Sequence, residues 1–130
     1  MGSEISLQPF IQQISKFYPR IILYKPIYYN FNKRMWFIPL NNNQLTPKKQ
    51  RIEQLDIILI PMLGIDWNGY RLGQGGGYYD ASLKHTFLRM CPEKIAIGFD
   101  CQLVNKIPHE KHDIRMNTFI SEKRILQFKR

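Results

Sequence analysis

The amino-acid sequence predicts one domain of the α/β class, and three observations support this prediction. The chain has 130 residues, 44% of them hydrophobic, which is enough for a single buried core spanning residues 1–130. A continuous apolar run at residues 55–63 and a second one at residues 94–99 each have the length of a strand. A glycine-rich turn and a helical pattern lie between them. This order is typical of a βαβ unit in a mostly parallel sheet.

The N-terminal part is predicted to form one amphipathic helix and two strands. Apolar side chains recur at helical spacing at Leu7, Phe10, Ile11, Ile14 and Phe17. Ser6 is placed to cap this helix and Pro19 to end it. Residues 20–25 and 34–38 have the composition of strands, whereas residues 41–54 are polar and predict a surface loop.

The apolar run at residues 55–63 predicts a central strand buried on both faces, as parallel strands are. After the glycines, helical spacing resumes at Tyr79 and continues until Pro92. Residues 94–99 follow as a strand, residues 105–113 as a polar loop and residues 116–120 as a short last strand.

The two cysteines are predicted to be free and buried. Cys91 and Cys101 lie in or beside apolar segments, and neither belongs to a CxxC pair. Free thiols are therefore expected rather than a disulfide or a metal site.

The net charge of +9 favours anionic partners, which include nucleotide phosphates, RNA and anionic lipid. The basic residues are scattered along the chain, so a solvated basic surface is favoured over a nucleic-acid face, and no nucleic-acid partner is expected. No apolar run reaches the length of about 18 residues that a membrane span needs. The first residues lack the pattern of a signal peptide, so a cytoplasmic location is expected.

The glycine cluster at residues 73–77 is the most informative segment. Glycines between a strand and a helix allow close approach of a ligand to the backbone, and the helix that follows offers free N–H groups to phosphate. Arg71 can bind an anion, and Asp80 can hold Mg²⁺. A plain tight turn and a dipole-compensating Asp80 are the alternatives. Neither GxGxxG, which needs glycine in place of Tyr78, nor GK[ST] is present.

Residues 109–113, HEKHD, carry two histidines and two carboxylates. Zinc is disfavoured because closed zinc sites need four ligands, whereas Mg²⁺ needs only one or two protein carboxylates beside substrate phosphates. Four aromatic residues can stack on a flat heterocycle or belong to the core; they are Tyr28, Tyr29, Trp36 and Trp67.

Residues 60–80, IPMLGIDWNGYRLGQGGGYYD, resemble the signature of the 5-formyltetrahydrofolate cyclo-ligase family, whose pattern RLGxGxGYYD fits at residues 71–80. The later QL…P…E…HD pattern of the family is matched by Gln102, Leu103, Pro108, Glu110, His112 and Asp113.

The resemblance implies a set of site residues. Those implied to bind ATP are Arg71, Leu72, Gly73, Gln74, Gly75, Gly76, Gly77, Tyr78 and Tyr79. Those implied to contact the folate substrate are Glu4, Gln74, Gly75, Gly76, Gly77 and Tyr78. Asp80 and Asp113 are implied to hold Mg²⁺, and Arg71 and Tyr79 to be catalytic residues.

The activity implied by the resemblance is the ATP-dependent closure of 5-formyltetrahydrofolate to 5,10-methenyltetrahydrofolate. The fold implied is an open three-layer α/β/α sandwich with a mostly parallel central sheet. By the same comparison the chain begins after the family's first, basic helix and first strand. Two alternatives stay open: an impaired relative that only binds nucleotide or folate, and a basic RNA-binding module.

Overall fold

The computed structural model describes residues 6–28, 34–40, 48–73, 77–86, 91–111 and 113–129. Within these ranges the chain forms two α-helices and ten short strands, so the predicted mixed α/β class is confirmed. The elements in chain order are α1 (Gln8–Phe17), β1 (Tyr24–Tyr28), β2 (Met35–Pro39), β3 (Gln50–Arg51), β4 (Ile57–Ile60), β5 (Gly64–Asp66), β6 (Arg71–Leu72), α2 (Tyr78–Leu83), β7 (Glu93–Ile97), β8 (Leu103–Val104), β9 (Thr118–Ile120) and β10 (Ile125–Gln127).

The strands form three separate sheets. The largest has the order β10-β9-β7-β4, in which β4, β7 and β9 run parallel and β10 is antiparallel to β9. This confirms the mostly parallel sheet. The other two have the orders β1-β2-β3, which is antiparallel, and β6-β5-β8, which is mixed.

The helix α1 is confirmed, but its predicted cap and the strand after it are corrected. The N-cap is Leu7 rather than Ser6, and it makes no side-chain capping bond. The strand predicted at residues 20–25 begins only at Tyr24, because the chain first turns at Tyr18, whose carbonyl accepts from Ile21 N at 3.0 Å.

The prediction that the strand at residues 55–63 is buried on both faces is wrong. β4 is shorter, and Ile58 and Ile60 are buried on one face whereas Ile57 is 56% exposed on the other. Only the first face meets the core, which is formed chiefly by Met35, Phe37, Ile52, Leu55, Ile58, Ile60, Met62, Ile65, Leu83, Ala96, Met116 and Phe119.

The remaining differences concern short elements and side-chain burial. Of the predicted loop at residues 41–54, residues 41–47 lie outside the described residues. Its last five residues, 50–54, form β3 and a helical turn, in which Ile52 is buried. α2 is followed by a second helical turn at residues 84–86, and residues 87–90 of the predicted helix lie outside the description. Cys91 and Cys101 are free as predicted, but both are exposed. Among the described residues, no helix has the length and apolar character needed to cross a membrane.

Candidate functional site

A buried carboxylate fixes the turn that leads into the candidate site. Asp66 ends β5 with no exposed surface. Its Oδ1 accepts hydrogen bonds from the backbone N–H groups of Asn68, at 2.9 Å, and Tyr70, at 3.0 Å, and its Oδ2 accepts from Ile107 N at 3.0 Å. The three bonds compensate for burial of the charge and tie the turn at residues 66–70 to the loop that contains Ile107. The sequence shows an Asp before this turn but not its 41-residue link to Ile107.

The same turn is packed against the C-terminal residues. Gly69 has a φ of 93°, and a Cβ there would lie 3.0 Å from both Met116 O and the Phe128 ring. Gly69 O accepts from Met116 N at 2.8 Å. The guanidinium of Arg115 donates to Asn68 O and to Lys129 O. A side chain at residue 69 would therefore be strained and crowded, so glycine is required there.

Arg71 follows this turn on β6, and its side chain is buried. Only 6% of the side chain is exposed, and its Nη1 donates to Asp80 Oδ1 at 2.8 Å. The guanidinium carbon lies 5.6 Å from the Tyr79 ring centroid. The buried Nε has no hydrogen-bond partner in the described part of the chain. The structure thus places two other predicted site residues, Tyr79 and Asp80, against the buried guanidinium of Arg71.

The predicted glycine cluster begins directly beside this cation. A Cβ on Gly73 would lie 3.2 Å from Arg71 Nη2, so the backbone approaches the guanidinium closely. Gln74, Gly75 and Gly76 lie outside the described residues. Gly77 has a φ of 75° and precedes α2, which starts at Tyr78.

Asp80 lies in the first turn of α2 and is 70% exposed at its side chain. Its Oδ1 accepts from Arg71, whereas Oδ2 has no hydrogen bond from any described residue. A carboxylate oxygen that faces solvent is a suitable ligand for Mg²⁺, which binds through one or two carboxylates beside phosphates and water. The donor chemistry of Asp80 therefore fits the predicted metal.

Two contacts hold α2 against the antiparallel sheet. The Ser82 hydroxyl, which is buried, accepts from Met35 N at 3.0 Å. The rings of Tyr28 and Tyr78 meet edge to face with centroids 4.8 Å apart. Edge-to-face pairs of this kind contribute beyond the area that they bury. Tyr78 and Tyr79 are partly buried against the core, so α2 presents Asp80 from a fixed position.

The second predicted metal ligand lies in a separate loop. Asp113 Oδ2 accepts from Glu110 N at 2.8 Å, and Asp113 N donates to Glu110 O at 3.1 Å. Glu4, predicted to contact substrate, and His112 lie outside the described residues.

The aromatic residues that sequence analysis singled out contact cations or other rings. Trp36 has the guanidinium carbons of Arg34 and Arg51 at 5.3 and 5.8 Å from its ring centroid. Trp67 is 49% exposed and has Arg124 at 5.6 Å. Neither tryptophan belongs to the core cluster, and Tyr29 lies outside the described residues.

The stacking of His109 on Tyr70 was not predicted from the sequence. The two rings are nearly parallel, at 7°, and their centroids are 3.5 Å apart. His109 also lines an open cavity with Lys106 and Pro108. The two residues are 39 positions apart, so the sequence gives no sign of this contact.

Gln102, part of the predicted family pattern, joins the ends of two parallel strands. Its Nε2 donates to Met62 O at 3.0 Å after β4, and its Oε1 accepts from Phe99 N at 2.7 Å after β7. A Cβ on Gly98 would lie 2.5 Å from Gln102 Oε1 and closer still to Met62 Cε, so a larger residue there would displace the ends of these two flexible side chains. This glutamine has a structural role in the described region.

A second Asp–Arg pair lies beyond β7. Asp100 accepts from Arg124 Nε at 2.8 Å, from Arg124 Nη2 at 3.1 Å and from the Ser121 hydroxyl at 2.9 Å. Burial raises the pKa of Asp100, but the Ser121 hydrogen bond and the charges of Arg124 and Lys123 outweigh it. The pKa of Asp100 therefore lies below its usual value.

Two solved structures have the same arrangement of elements. A 5,10-methenyltetrahydrofolate synthetase from Mycoplasma pneumoniae superposes with a TM-score of 0.72 at 26% identity, covering 90% of this chain and 65% of that one. The synthetase from Aquifex aeolicus gives a TM-score of 0.77 at 22% identity, covering 100% of this chain and 69% of that one. The fold is therefore the α/β fold of the methenyltetrahydrofolate synthetases.

Sequence comparison defines the family. The model of the 5-formyltetrahydrofolate cyclo-ligase family matches residues 5–122, so the chain belongs to this family. The cyclo-ligase of Escherichia coli K12 is 26% identical over 96% of this chain and 75% of its own length. That of Mycolicibacterium smegmatis is 39% identical over 58% of this chain, and the match spans only 38% of its own length.

Proposed function

We propose that the chain converts 5-formyltetrahydrofolate to 5,10-methenyltetrahydrofolate with ATP and Mg²⁺. The family supports this activity, and the observation that carries it is the buried guanidinium of Arg71 beside the glycine cluster. A cation with 6% exposure acts in a medium of low dielectric, where its attraction for a phosphate is stronger than in water. A small-molecule substrate, a cytoplasmic location and the absence of a nucleic-acid partner belong to the same proposal.

Arg71 is proposed to hold the transferred phosphoryl group. Its guanidinium is already oriented by Asp80 and by the face of Tyr79, so little side-chain freedom is lost when an anion binds. Its Nε, unpartnered among the described residues, is a donor that a phosphate oxygen can satisfy. These features support the proposal that Arg71 and Tyr79 are catalytic residues.

The reaction needs positioning and charge stabilisation rather than a protein nucleophile. The formyl oxygen attacks the γ-phosphorus of ATP and ADP leaves. The N10 amine then attacks the formyl carbon, loses its proton to solvent, and the five-membered ring closes as phosphate departs with the formyl oxygen. Negative charge develops on the phosphoryl oxygens, where a fixed cation stabilises the transition state.

Asp80 is proposed to hold Mg²⁺, with Asp113 as a second ligand. When bound, the ion neutralises phosphate charge. The exposed Oδ2 of Asp80 supports this assignment, and its Oδ1 keeps Arg71 in place. The backbone of residues 72–79 is proposed to bind ATP, and Gln74 to Tyr78 together with Glu4 to bind the folate.

The activity is tested by mixing the protein with 5-formyltetrahydrofolate, ATP and Mg²⁺ and following the near-ultraviolet absorbance of the methenyl product. We expect product with the native chain and loss of product with Asp80→Asn. Glu93→Gln is the matched control, because it makes the same carboxylate-to-amide change at an exposed site on β7.

A native chain that forms no product but binds ATP in a calorimetric titration would show that only the binding part of the proposal holds. Equal activity of Asp80→Asn and Glu93→Gln would remove Asp80 from the site. A chain that binds neither ATP nor the folate would overturn the proposed function as a whole.

A further inference from the structure

The turn at residues 66–70, which leads into Arg71, is held by residues that are distant in the sequence. Each carbonyl oxygen of residues 68–70 accepts a hydrogen bond. The bonds run from Arg115 Nε to Asn68 O at 2.6 Å, from Met116 N to Gly69 O at 2.8 Å and from Asp66 N to Tyr70 O at 3.0 Å. Two of these three donors belong to residues 115–116, so this segment fastens the turn to another part of the fold.

The segment that carries Arg115 is itself fixed by the core. Met116 is 2% exposed and belongs to the core cluster. Asn117 forms two hydrogen bonds with the backbone of Lys94 on β7, at 2.7 and 2.8 Å. β9 begins at the next residue, Thr118, and pairs in parallel with β7. Arg115 therefore extends from a firmly packed part of the four-stranded sheet towards the turn.

The guanidinium of Arg115 makes three contacts. Its Nε donates to Asn68 O, its Nη2 donates to Lys129 O, and its carbon lies 5.9 Å from the centroid of the Tyr70 ring. The same ring stacks on His109. Both hydrogen-bond acceptors are backbone carbonyl oxygens, so the planar guanidinium bridges the turn and the C-terminal residues. A lysine lacks the rigid fork that makes both bonds at once.

The position of Arg71 depends on this turn because the strand that carries it is short. β6 contains only Arg71 and Leu72, and it pairs with β5 at two positions. A hairpin with so few paired positions has little stability of its own and relies on contacts with the rest of the fold. The turn at residues 66–70 ends directly before Arg71. Loosening of the turn is therefore expected to displace the Arg71 side chain.

We propose that Arg115 is a positioning residue for Arg71. It acts through the turn at residues 66–70 and keeps the guanidinium of Arg71 in place against Asp80 and Tyr79. This inference rests on the proposed function, in which Arg71 holds the transferred phosphoryl group. A displacement of about 1 Å in a reacting site can reduce the rate by about 10²-fold, so even slight loosening of the turn has a measurable effect.

The first test measures hydrogen exchange at Arg71 Nε, which needs no substrate. This nitrogen is buried, so its proton should exchange slowly with water, and NMR of the full chain labelled with ¹⁵N-arginine follows it. Loss of the signal in Arg71→Lys assigns it. In Arg115→Gln we expect faster exchange, because the loosened turn opens locally. The increase should exceed that of the backbone amide of Phe119, the fully buried centre of β9, by at least about fivefold.

Arg51→Gln is the matched control. The guanidinium carbon of Arg51 lies 5.8 Å from the Trp36 ring centroid, much as that of Arg115 lies near Tyr70, but Arg51 belongs to β3 in another sheet. This variant should leave the exchange at Arg71 Nε unchanged. Arg115→Lys should give a rate between those of the native chain and Arg115→Gln. An increase in Arg115→Gln no larger than that of the Phe119 amide would overturn the proposal, because a general loss of stability would then explain it.

The second test is a double-mutant cycle measured by steady-state kinetics. Arg115→Gln should lower kcat/KM by about tenfold in the native chain but by less than about twofold in Arg71→Lys, because a residue that acts through Arg71 has little effect once that guanidinium is gone. Equal losses in the two backgrounds would overturn the proposal. A native chain that forms no product would contradict the proposed function instead, and the exchange rates alone would then decide whether Arg115 positions Arg71.

Discussion

Two regions of the molecule contain an Asp–Arg pair with the same 2.8 Å contact, and they differ in which partner is buried. In the pair Arg71–Asp80 the arginine side chain is 6% exposed and the aspartate 70%. In the pair Arg124–Asp100 the arginine is 42% exposed and the aspartate 14%. Asp80 therefore keeps an oxygen available to solvent, whereas Asp100 is occupied by Arg124 and Ser121. The first arrangement suits ligand binding, and the second stabilises the fold.

Replacement of each arginine by lysine should give the largest difference between the two pairs, and the difference should appear in kcat/KM. Arg71→Lys keeps the charge but loses the fixed, forked guanidinium, so kcat/KM should fall by about 10² to 10³-fold, as for loss of one well-placed transition-state donor. Arg124→Lys should leave kcat/KM within about threefold of the native value, since no hydrogen bond between described residues joins the Arg124–Asp100 pair to Arg71 or Asp80. Steady-state kinetics of both variants measures the difference.

Equal losses of kcat/KM in the two variants, with unchanged melting temperatures, would contradict the assignment of different roles to the two pairs.

A third aspartate, Asp66, is completely buried and can be compared with Asp80 and Asp100. Asp66 accepts three backbone hydrogen bonds with no exposed surface. Asp66→Asn turns one acceptor into a donor that faces a backbone N–H, so the free energy of unfolding should fall by about 2 to 3 kcal/mol. Urea denaturation measures this loss, and Glu93→Gln serves as the control because Glu93 is exposed. A similar small loss for both variants would show that the Asp66 bonds contribute little.

The smallest expected effect is on the stability that the Arg124–Asp100 pair contributes at different pH values. The pKa of Asp100 is lower in the folded chain than its unfolded value of about 3.9, so the ionised form stabilises the fold above that pH. This contribution should disappear as the pH falls through the folded pKa. Thermal melts of the native chain and of Asp100→Asn should therefore differ at neutral pH and converge only as the pH falls through the lowered folded pKa. A melting-temperature difference that is independent of pH would contradict this role of Asp100.

The elements predicted correctly from the sequence are those with long, regular patterns. The apolar spacing of α1 and the aliphatic runs of β4 and β7 identify them, because one buried face requires a repeated pattern. β5, β6 and β10 contain only two or three residues, which is too short for any periodicity to show. The exposure of Cys91 and Cys101 was mispredicted for a related reason: apolar neighbours do not determine which way a side chain points in an irregular segment.

The site was predicted as a set of residues rather than as a geometry. The motif identifies Arg71, Tyr79 and Asp80, which the structure brings into contact. The link between Asp66 and Ile107 and the stack of His109 on Tyr70 could not be predicted, because each joins residues about 40 positions apart through the tertiary fold. Contacts of this kind leave no local pattern in a single sequence.

The packing of the C-terminal residues on the turn around Gly69 has a practical consequence for protein production. Phe128 donates its N–H to Asn117 O, its ring crowds Gly69, and Lys129 O accepts from Arg115. These last residues support the segment that leads into Arg71. An affinity tag fused directly after residue 130 would begin beside this support. Kinetic work on this chain is therefore better done after any tag at that position has been cleaved.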